Sequence, residues 1–207
     1  MMDKQKIEKV IENLRANGFQ AEYFAYGQAA VDHLLNEITP GMSIGLPGSM
    51  TVSSLGVAAR AEAKGATVLE HGRPDLSAEQ KEEIQRAQGR CDMLVVSTNA
   101  LTEDGYLVNC DGRGNRVAAM IYGPGRVVVV AGINKICADI EAAMERIETV
   151  AAPKNAKRLG LDNPCTITGT CADCDAPMRI CRAYTIMKRP MFGQNFTVLL
   201  VGEELGF

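Results

Sequence analysis

Four of the seven cysteines fall within seventeen residues: Cys165, Cys171, Cys174 and Cys181. The spacing is C-x5-C-x2-C-x6-C. A C-x2-C step lets two thiolates reach one metal atom from a tight turn. The flanking pair can complete a four-sulfur shell of the kind that zinc and iron–sulfur clusters use. Structural zinc sites usually carry two such knuckles, and here there is one, so a 4Fe–4S cluster suits the looser spacing better than Zn2+. The competing reading is that free cysteines pack as small apolar side chains. That reading suits Cys91, Cys110 and Cys137, which lie in or beside apolar segments.

A second candidate is the turn Gly45-Leu-Pro-Gly-Ser-Met-Thr51. It joins a short apolar run to a helical one. Gly48 lets a backbone approach an anion, Ser49 and Thr51 offer hydroxyls, and a helix start offers free N–H groups. The turn lacks the Gly-Lys-Ser/Thr ending of a P-loop and is no G-x-G-x-x-G fingerprint. The simpler alternative is a tight turn in which Ser49 or Thr51 only caps the helix.

The third candidate is the polar stretch from Ser97 to Arg116, with Asn99, Glu103, Asp111 and Asn115. It follows the apolar run Asp92-Met-Leu-Val-Val-Ser97. Glu103 or Asp111 can serve as general base or nucleophile if burial raises its pKa. Otherwise Glu103-Asp-Gly105 simply makes a solvated turn.

These segments need a frame, and the hydrophobic pattern supplies one. Ile7, Val10, Ile11 and Leu14 recur at helical spacing before Gly18. Helices are expected over Gln28–Ile38, Thr51–Lys64, Ser77–Gly89 and Asp139–Val150, the third opened by a Ser77/Gln80 capping box. Strands are expected at Met42–Leu46, Thr67–Leu69, Asp92–Ser97, Tyr106–Val108, Arg126–Ala131 and Phe196–Val201. Strands that are apolar throughout are buried on both faces. The alternation predicts an α/β fold with a mostly parallel open sheet flanked by helices, Ile44, Leu94, Val95, Val96, Val128 and Val129 being buried. Residues 1–150 form the core domain, 151–195 a Cys-rich excursion, and 196–207 a last strand and tail returning to the core. In such a sheet, ligands bind beyond the carboxyl ends of the strands. Gly48, Ser49 and Thr51 should then share one site with Asn99, Glu103 and Asp111, and Lys135 should reach the same edge.

Composition narrows the function. The chain is 46% hydrophobic and 23% charged with a net charge of −3, and it has no polybasic block. That argues against nucleic acid as a partner. The longest strongly apolar run, near Val127–Ala131, is too short to span a membrane. The N-terminus opens a polar helix without a signal-peptide core, so the expected location is the cytoplasm, where thiols stay reduced. His33 and His71, the only histidines, have no ligand-spaced partners.

Taken together, Gly45–Thr51, Ala100-Leu-Thr-Glu-Asp-Gly-Tyr-Leu-Val108, Asp111-Gly-Arg-Gly-Asn-Arg-Val-Ala118, Gly132-Ile-Asn-Lys135 and Val201-Gly-Glu-Glu-Leu-Gly-Phe207 resemble the LUD domain family, named for lactate-utilization protein C. The resemblance covers nearly the whole chain. It implies a fold similar to the sugar-phosphate isomerase, glucosamine-phosphate deaminase and CoA-transferase superfamily. In those relatives the first Gly-rich turn binds phosphate or CoA, and an acidic residue on a later loop does chemistry. Carried over, this points to Gly48, Ser49 and Thr51, to Glu103 or Asp111, and to Lys135 as an anion partner. It also implies a role in lactate or organic-acid metabolism beside iron–sulfur partner proteins. The cysteine segment resembles that of a subset of stand-alone LUD proteins. Two functions remain open: a redox-linked protein with a four-Cys centre, or a protein for a phosphorylated or CoA-linked small molecule with a purely structural Cys segment.

Overall fold

In the computed structural model, which describes residues 4–207, six strands run in one direction and form one sheet. They are β1 (Gln20–Phe24), β2 (Ser43–Gly45), β3 (Thr67–Leu69), β4 (Met93–Val96), β7 (Arg126–Gly132) and β10 (Asn195–Val201). Their order is β1-β10-β7-β4-β2-β3, and every pairing is parallel. The fold is therefore α/β with a parallel open sheet flanked by helices.

Side-chain alternation explains why helices cover both faces. Along β4, Leu94 and Val96 join one core and Met93 and Val95 the other. Along β7, Val127 and Val129 go with the first, Val128 and Val130 with the second. The first core is closed by helix α1 (Lys4–Ala16) through Ile7, Val10, Ile11 and Leu14, and by α6 (Asn115–Tyr122) through Ala119 and Met120. The second is closed by α2 (Gly27–Leu35) and α4 (Val57–Ala63). Ile44, Leu94, Val95, Val96, Val128 and Val129 are all buried, as the apolar runs predict. The expected polar N-terminal helix falls partly on residues 1–3, outside the described residues, and α1 is described from Lys4.

A smaller sheet packs beside the first, in the order β8-β5-β6-β9. It comprises β5 (Ala100–Thr102), β6 (Leu107–Asp111), β8 (Ile136–Cys137) and β9 (Ala183–Met187). It turns the polar stretch after β4 into a hairpin rather than an open loop. It also ties the end of the Cys-rich segment to the core, since β9 pairs antiparallel with β6.

Several boundaries differ from the sequence pattern. The helix expected over Thr51–Lys64 is two, α3 (Met50–Ser54) and α4, because Gly56 adopts the left-handed conformation between them. Helix α5 (Ala78–Ala87) keeps its capping box. The helix expected to stop at Val150 instead runs from α7 (Ile140–Arg146) through a wider π turn, Ile147–Ala151, into α8 (Ala152–Arg158). Pro153 has no N–H to give the preceding turn, and the helical ladder loosens where that donor is missing. A one-turn helix, α9 (Cys165–Thr168), opens the Cys-rich stretch. Among the described residues, no helix is long and apolar enough to cross a membrane.

Leu94 is fully buried between strands on both sides. Leu94→Ala should lower the unfolding free energy by about 3 kcal/mol through lost transfer energy and the cavity left behind. Urea denaturation followed by circular dichroism measures this. A loss below about 1 kcal/mol would contradict the central place of β4.

Candidate functional site

A parallel sheet delivers the carboxyl ends of its strands to one edge. Here β2 leads into Leu46–Ser49, β3 into His71, β4 into Ser97–Asn99, and β7 into the turn Ile133–Lys135. Together they line one cleft of about 740 Å3, closed on its far side by α8 and by residues 177–182 of the Cys-rich segment.

Gly48, Ser49, Thr51, Asn99, Asp111, Asn115 and Lys135 all line this cleft. Glu103 does not. It lies at the opposite end of the small sheet, where its carboxylate is 2.6 Å from Lys6 and its backbone carbonyl accepts from Asn13 Nδ2. The physical reason is the hairpin: β5 carries the chain away from the strand ends before the Glu103–Gly105 turn, so only β6 returns to them. The expected composite of Glu103 with the Gly-rich turn is thereby corrected.

The bonds made by the other residues limit what each can do. Gly48 adopts φ +79°, where a side chain would strain the backbone, and a β-carbon there would lie 3.6 Å from His71 Nε2. Ser49 is the N-cap of α3, its hydroxyl oxygen accepting from Val52 N–H. Thr51 is buried and bridges two partners, donating to Leu205 O and accepting from Lys135 Nζ. Asp111 caps α6: its carboxylate accepts the backbone N–H groups of Arg113, Gly114 and Val117, and it stands 3.7 Å from Arg116 Nε. A carboxylate so occupied serves as a structural anchor more readily than as a free base. Asn99 Oδ1 accepts from Cys110 N–H and Arg116, while its Nδ2 has no protein partner among the described residues.

Two residues gain importance that their spacing did not announce. Arg116 is sunk beneath the cleft and donates to Ser97 O, Cys110 O, Asn99 Oδ1 and Asn109 Oδ1. It knits β4, β6 and α6 together and leaves a positive charge below the cleft floor. His71 reaches Gln88 through Nδ1, 3.2 Å from the amide nitrogen. That nitrogen also donates to Leu46 O and Leu69 O, so it is the NH2 end of the amide. His71 Nδ1 is therefore an acceptor, and the imidazole proton sits on Nε2, toward the Gly48 turn. Burial lowers the His71 pKa. The signal available in the sequence was its position two residues past β3, at the strand ends.

Lys135 is the most unusual group in the site. It is 3% exposed, and its ammonium donates to Thr51 Oγ1 (3.0 Å), Ser97 Oγ (2.8 Å) and Thr98 O (3.0 Å). All three acceptors are neutral. Burial, followed by the charges of Arg146 and Arg116, brings its pKa down to about 7. Arg146 itself donates to Asn99 O and Asn134 O just behind.

The cleft is strongly electropositive. Arg113, Arg116, Arg158, Arg182 and Lys135 line it against one acidic side chain, Asp111, while Arg179, also in the wall, is paired with Asp173 at 2.7 Å. The whole chain carries a net charge of −3, so the cations are concentrated here.

The Cys-rich segment forms one wall. All seven cysteines are free thiols. The Cys171–Cys174 step is a tight turn: Asp173 adopts φ +45°, and its N–H donates to Cys171 Sγ at 3.3 Å. Arg179 donates to the carbonyls of Cys174 and Cys181, and Cys171 N–H donates to Glu148 O. The Cys165 thiol is raised by burial and then by Cys174, Cys171 and Cys181, so the four share one neighbourhood. The donor set fits a four-thiolate centre in kind. In distance it does not yet: no group of three or more His, Cys, Asp or Glu among the described residues stands close enough to hold a metal ion.

The buried ammonium makes a prediction about stability. Between the folded pKa of about 7 and the ordinary lysine value of 10.5, the unfolded chain binds more protons than the folded one. Stability should therefore rise with pH across that window, by at most about 1.4 kcal/mol per unit. Below pH 7 the full cost of the buried charge is present. Lys135→Met should flatten this rise in pH-dependent denaturation. An unchanged slope would show that Lys135 titrates normally.

Among curated proteins, none matches the sequence. A DUF162 family protein from Deinococcus radiodurans has a similar structure, with a TM-score of 0.53 and 12% identity over 96% of this chain and 97% of that one. A D-ribose-5-phosphate isomerase in complex with phospho-erythronic acid overlaps 54% of this chain and 53% of its own, at 18% identity and a TM-score of 0.35. eIF2B beta from Chaetomium thermophilum overlaps 65% of this chain and 47% of its own, at 14% identity and a TM-score of 0.36. The LUD domain matches residues 7–201, from the first buried turn of α1 to the end of β10. The chain belongs to the LUD domain family.

Proposed function

We propose that this protein binds a small organic anion in the cleft and works in redox-linked organic-acid metabolism, with a metal centre in the Cys-rich segment. The observation that carries the reading is the charge imbalance of the cleft, in which Arg113, Arg116, Arg158, Arg182 and Lys135 face the single acidic side chain of Asp111. Arg116 sets a fixed positive potential at its floor, beside the titrating amine of Lys135. Arg113, Arg158 and Arg182 stand nearer its rim, where guanidinium forks suit a carboxylate or phosphate. Asn99 Nδ2 and His71 Nε2–H add neutral donors. The family's name, which refers to lactate utilization, makes a 2-hydroxy or 2-oxo acid the first substrate class to try.

For the cysteines we propose a 4Fe–4S cluster, with Zn2+ as the alternative. Cys165, Cys171, Cys174 and Cys181 would be the ligands. Such a cluster would supply one-electron transfer beside the cleft; zinc would supply only cross-linking. The Asp173 N–H···S bond already holds the knuckle in a turn. Four thiolates repel one another until a cation neutralises them, so metal binding should draw the segment together. Iron–sulfur proteins are the partners that a redox-active centre would require.

A second reading has its own support. The Gly48 turn lies beside His71 at the start of α3, and although the Gly48 N–H is held by Leu46 O, a turn of this kind suits a phosphate. In that case the ligand is a phosphorylated or CoA-linked molecule and the cysteines only staple the segment.

Isothermal titration with lactate, a sugar phosphate and a CoA ester distinguishes the ligand classes. Arg113→Gln together with Arg182→Gln should weaken the favoured anion about a hundredfold, since each lost charged hydrogen bond costs about 1.5 kcal/mol. Equal affinity in the double variant would refute the anion cleft. Separately, anaerobically purified protein should contain iron and labile sulfide. Replacing Cys171 and Cys174 by Ser should remove the metal while the far-ultraviolet circular dichroism of the α/β core persists. Wild-type protein with neither iron nor zinc would end the metal-centre proposal.

A further inference from the structure

Lys135 differs from an ordinary anion-binding lysine. A lysine that only holds an anion keeps its proton and is usually exposed or paired with a carboxylate. Here the charged groups acting on the ammonium are Arg146 and Arg116, both of its own sign. Burial beside other cations is the arrangement that frees a lysine amine for attack on a carbonyl. The hydrogen-bond shell allows the same change. A neutral amine keeps two N–H groups, which Thr98 O and Thr51 Oγ1 can still accept, Thr51 giving its own hydrogen to Leu205 O; the Ser97 hydroxyl can reverse and donate to the lone pair until a carbonyl replaces it. Its pKa of about 7 leaves a large share of the amine unprotonated at neutral pH. The side chain lines the cleft whose arginines suit a carboxylate.

We propose that Lys135 is a covalent nucleophile that forms an imine with the carbonyl group of an anionic 2-oxo acid held in this cleft. The inference rests on the anion-binding reading above and names its substrate class. In the reaction the Nζ lone pair adds to the carbonyl carbon, forming a C–N bond. The carbonyl oxygen takes up a proton and becomes a hydroxyl, giving a carbinolamine. The nitrogen, having supplied the first proton to that oxygen, gives up its one remaining hydrogen as the hydroxyl leaves with a second proton as water, so the C–O bond breaks and the C=N bond forms. Condensation of amine and carbonyl to imine and water changes no oxidation state, so no oxidant or reductant is required. Ser97 Oγ, 2.8 Å from Nζ, is placed to relay the proton that the nitrogen loses. The arginines hold the carboxylate, and Arg116 beneath the floor keeps the amine from regaining its charge.

The test is reductive trapping. The protein as purified is incubated with pyruvate and sodium borohydride, then digested and mapped by mass spectrometry. The exposed lysines serve as internal controls. One reduced adduct on the peptide bearing Lys135, formed at least tenfold faster than on any exposed lysine, is the expected result. Oxalate is a dicarboxylate with no ketone to trap. It should protect Lys135, and titrating oxalate alone measures whether the cleft binds anions. Because the mapping uses the wild-type chain, it does not depend on a variant that folds. Lys135→Arg, shown folded by circular dichroism, should lose the adduct, because a guanidinium forms no imine for borohydride to trap. If oxalate binds but Lys135 stays unmodified, the covalent role is overturned and the anion cleft stands. If oxalate and pyruvate both fail to bind, the cleft reading falls and the covalent role falls with it.

Discussion

One constraint governs the rest: an all-parallel sheet must send every strand's carboxyl end to the same edge. Four turns of different sequence, from Leu46–Ser49 to Ile133–Lys135, are therefore neighbours although they lie far apart along the chain. The backbone groups beyond the last ladder bonds need partners, and side chains supply them. Gln88 satisfies the carbonyls of Leu46 and Leu69, and Arg116 those of Ser97 and Cys110. The cleft is what remains once these obligations are met.

The same accounting separates residues that shape the site from residues left for a ligand. Thr51, Asp111 and most of Arg116 are engaged in holding loops together. His71 Nε2–H and Asn99 Nδ2 are not. Lys135 belongs to both groups. It ties the β2–α3 turn to the end of β4, yet at the cost of a buried charge that three neutral acceptors only partly offset.

The legible parts of the sequence were those fixed by local chemistry. Unbroken apolar runs such as Met93–Val96 and Val127–Ala131 read as strands buried on both faces, and the Ser77/Gln80 box marked α5 at its first residue. The turn at Gly45–Thr51 was recognisable because glycine and hydroxyl residues there meet a strand and a helix. Elements held mainly by distant partners were not legible. β1 has one buried residue and exists because β10 pairs with it. β9 is a strand through its ladder to β6. The displacement of Glu103 from the site was equally hidden, since it depends on a hairpin whose first strand is only three residues long. The thiol neighbourhood was suggested by spacing alone, whereas the arginines that share the cleft wall, Arg179 and Arg182, have no pattern that marks them.

The position of β10 has a consequence for how the molecule comes into being. It lies between β1 and β7, pairing Gln20 with Thr197 and Val127 with Phe196. While the chain is being synthesised, both neighbouring strands emerge long before the one that joins them. Until then β7 offers an open edge of consecutive valines, the kind of surface that recruits other chains. Closing so long a loop is also slow. A nascent chain that lacks β10 therefore has an incomplete sheet, with the β7 edge unpaired until that strand arrives.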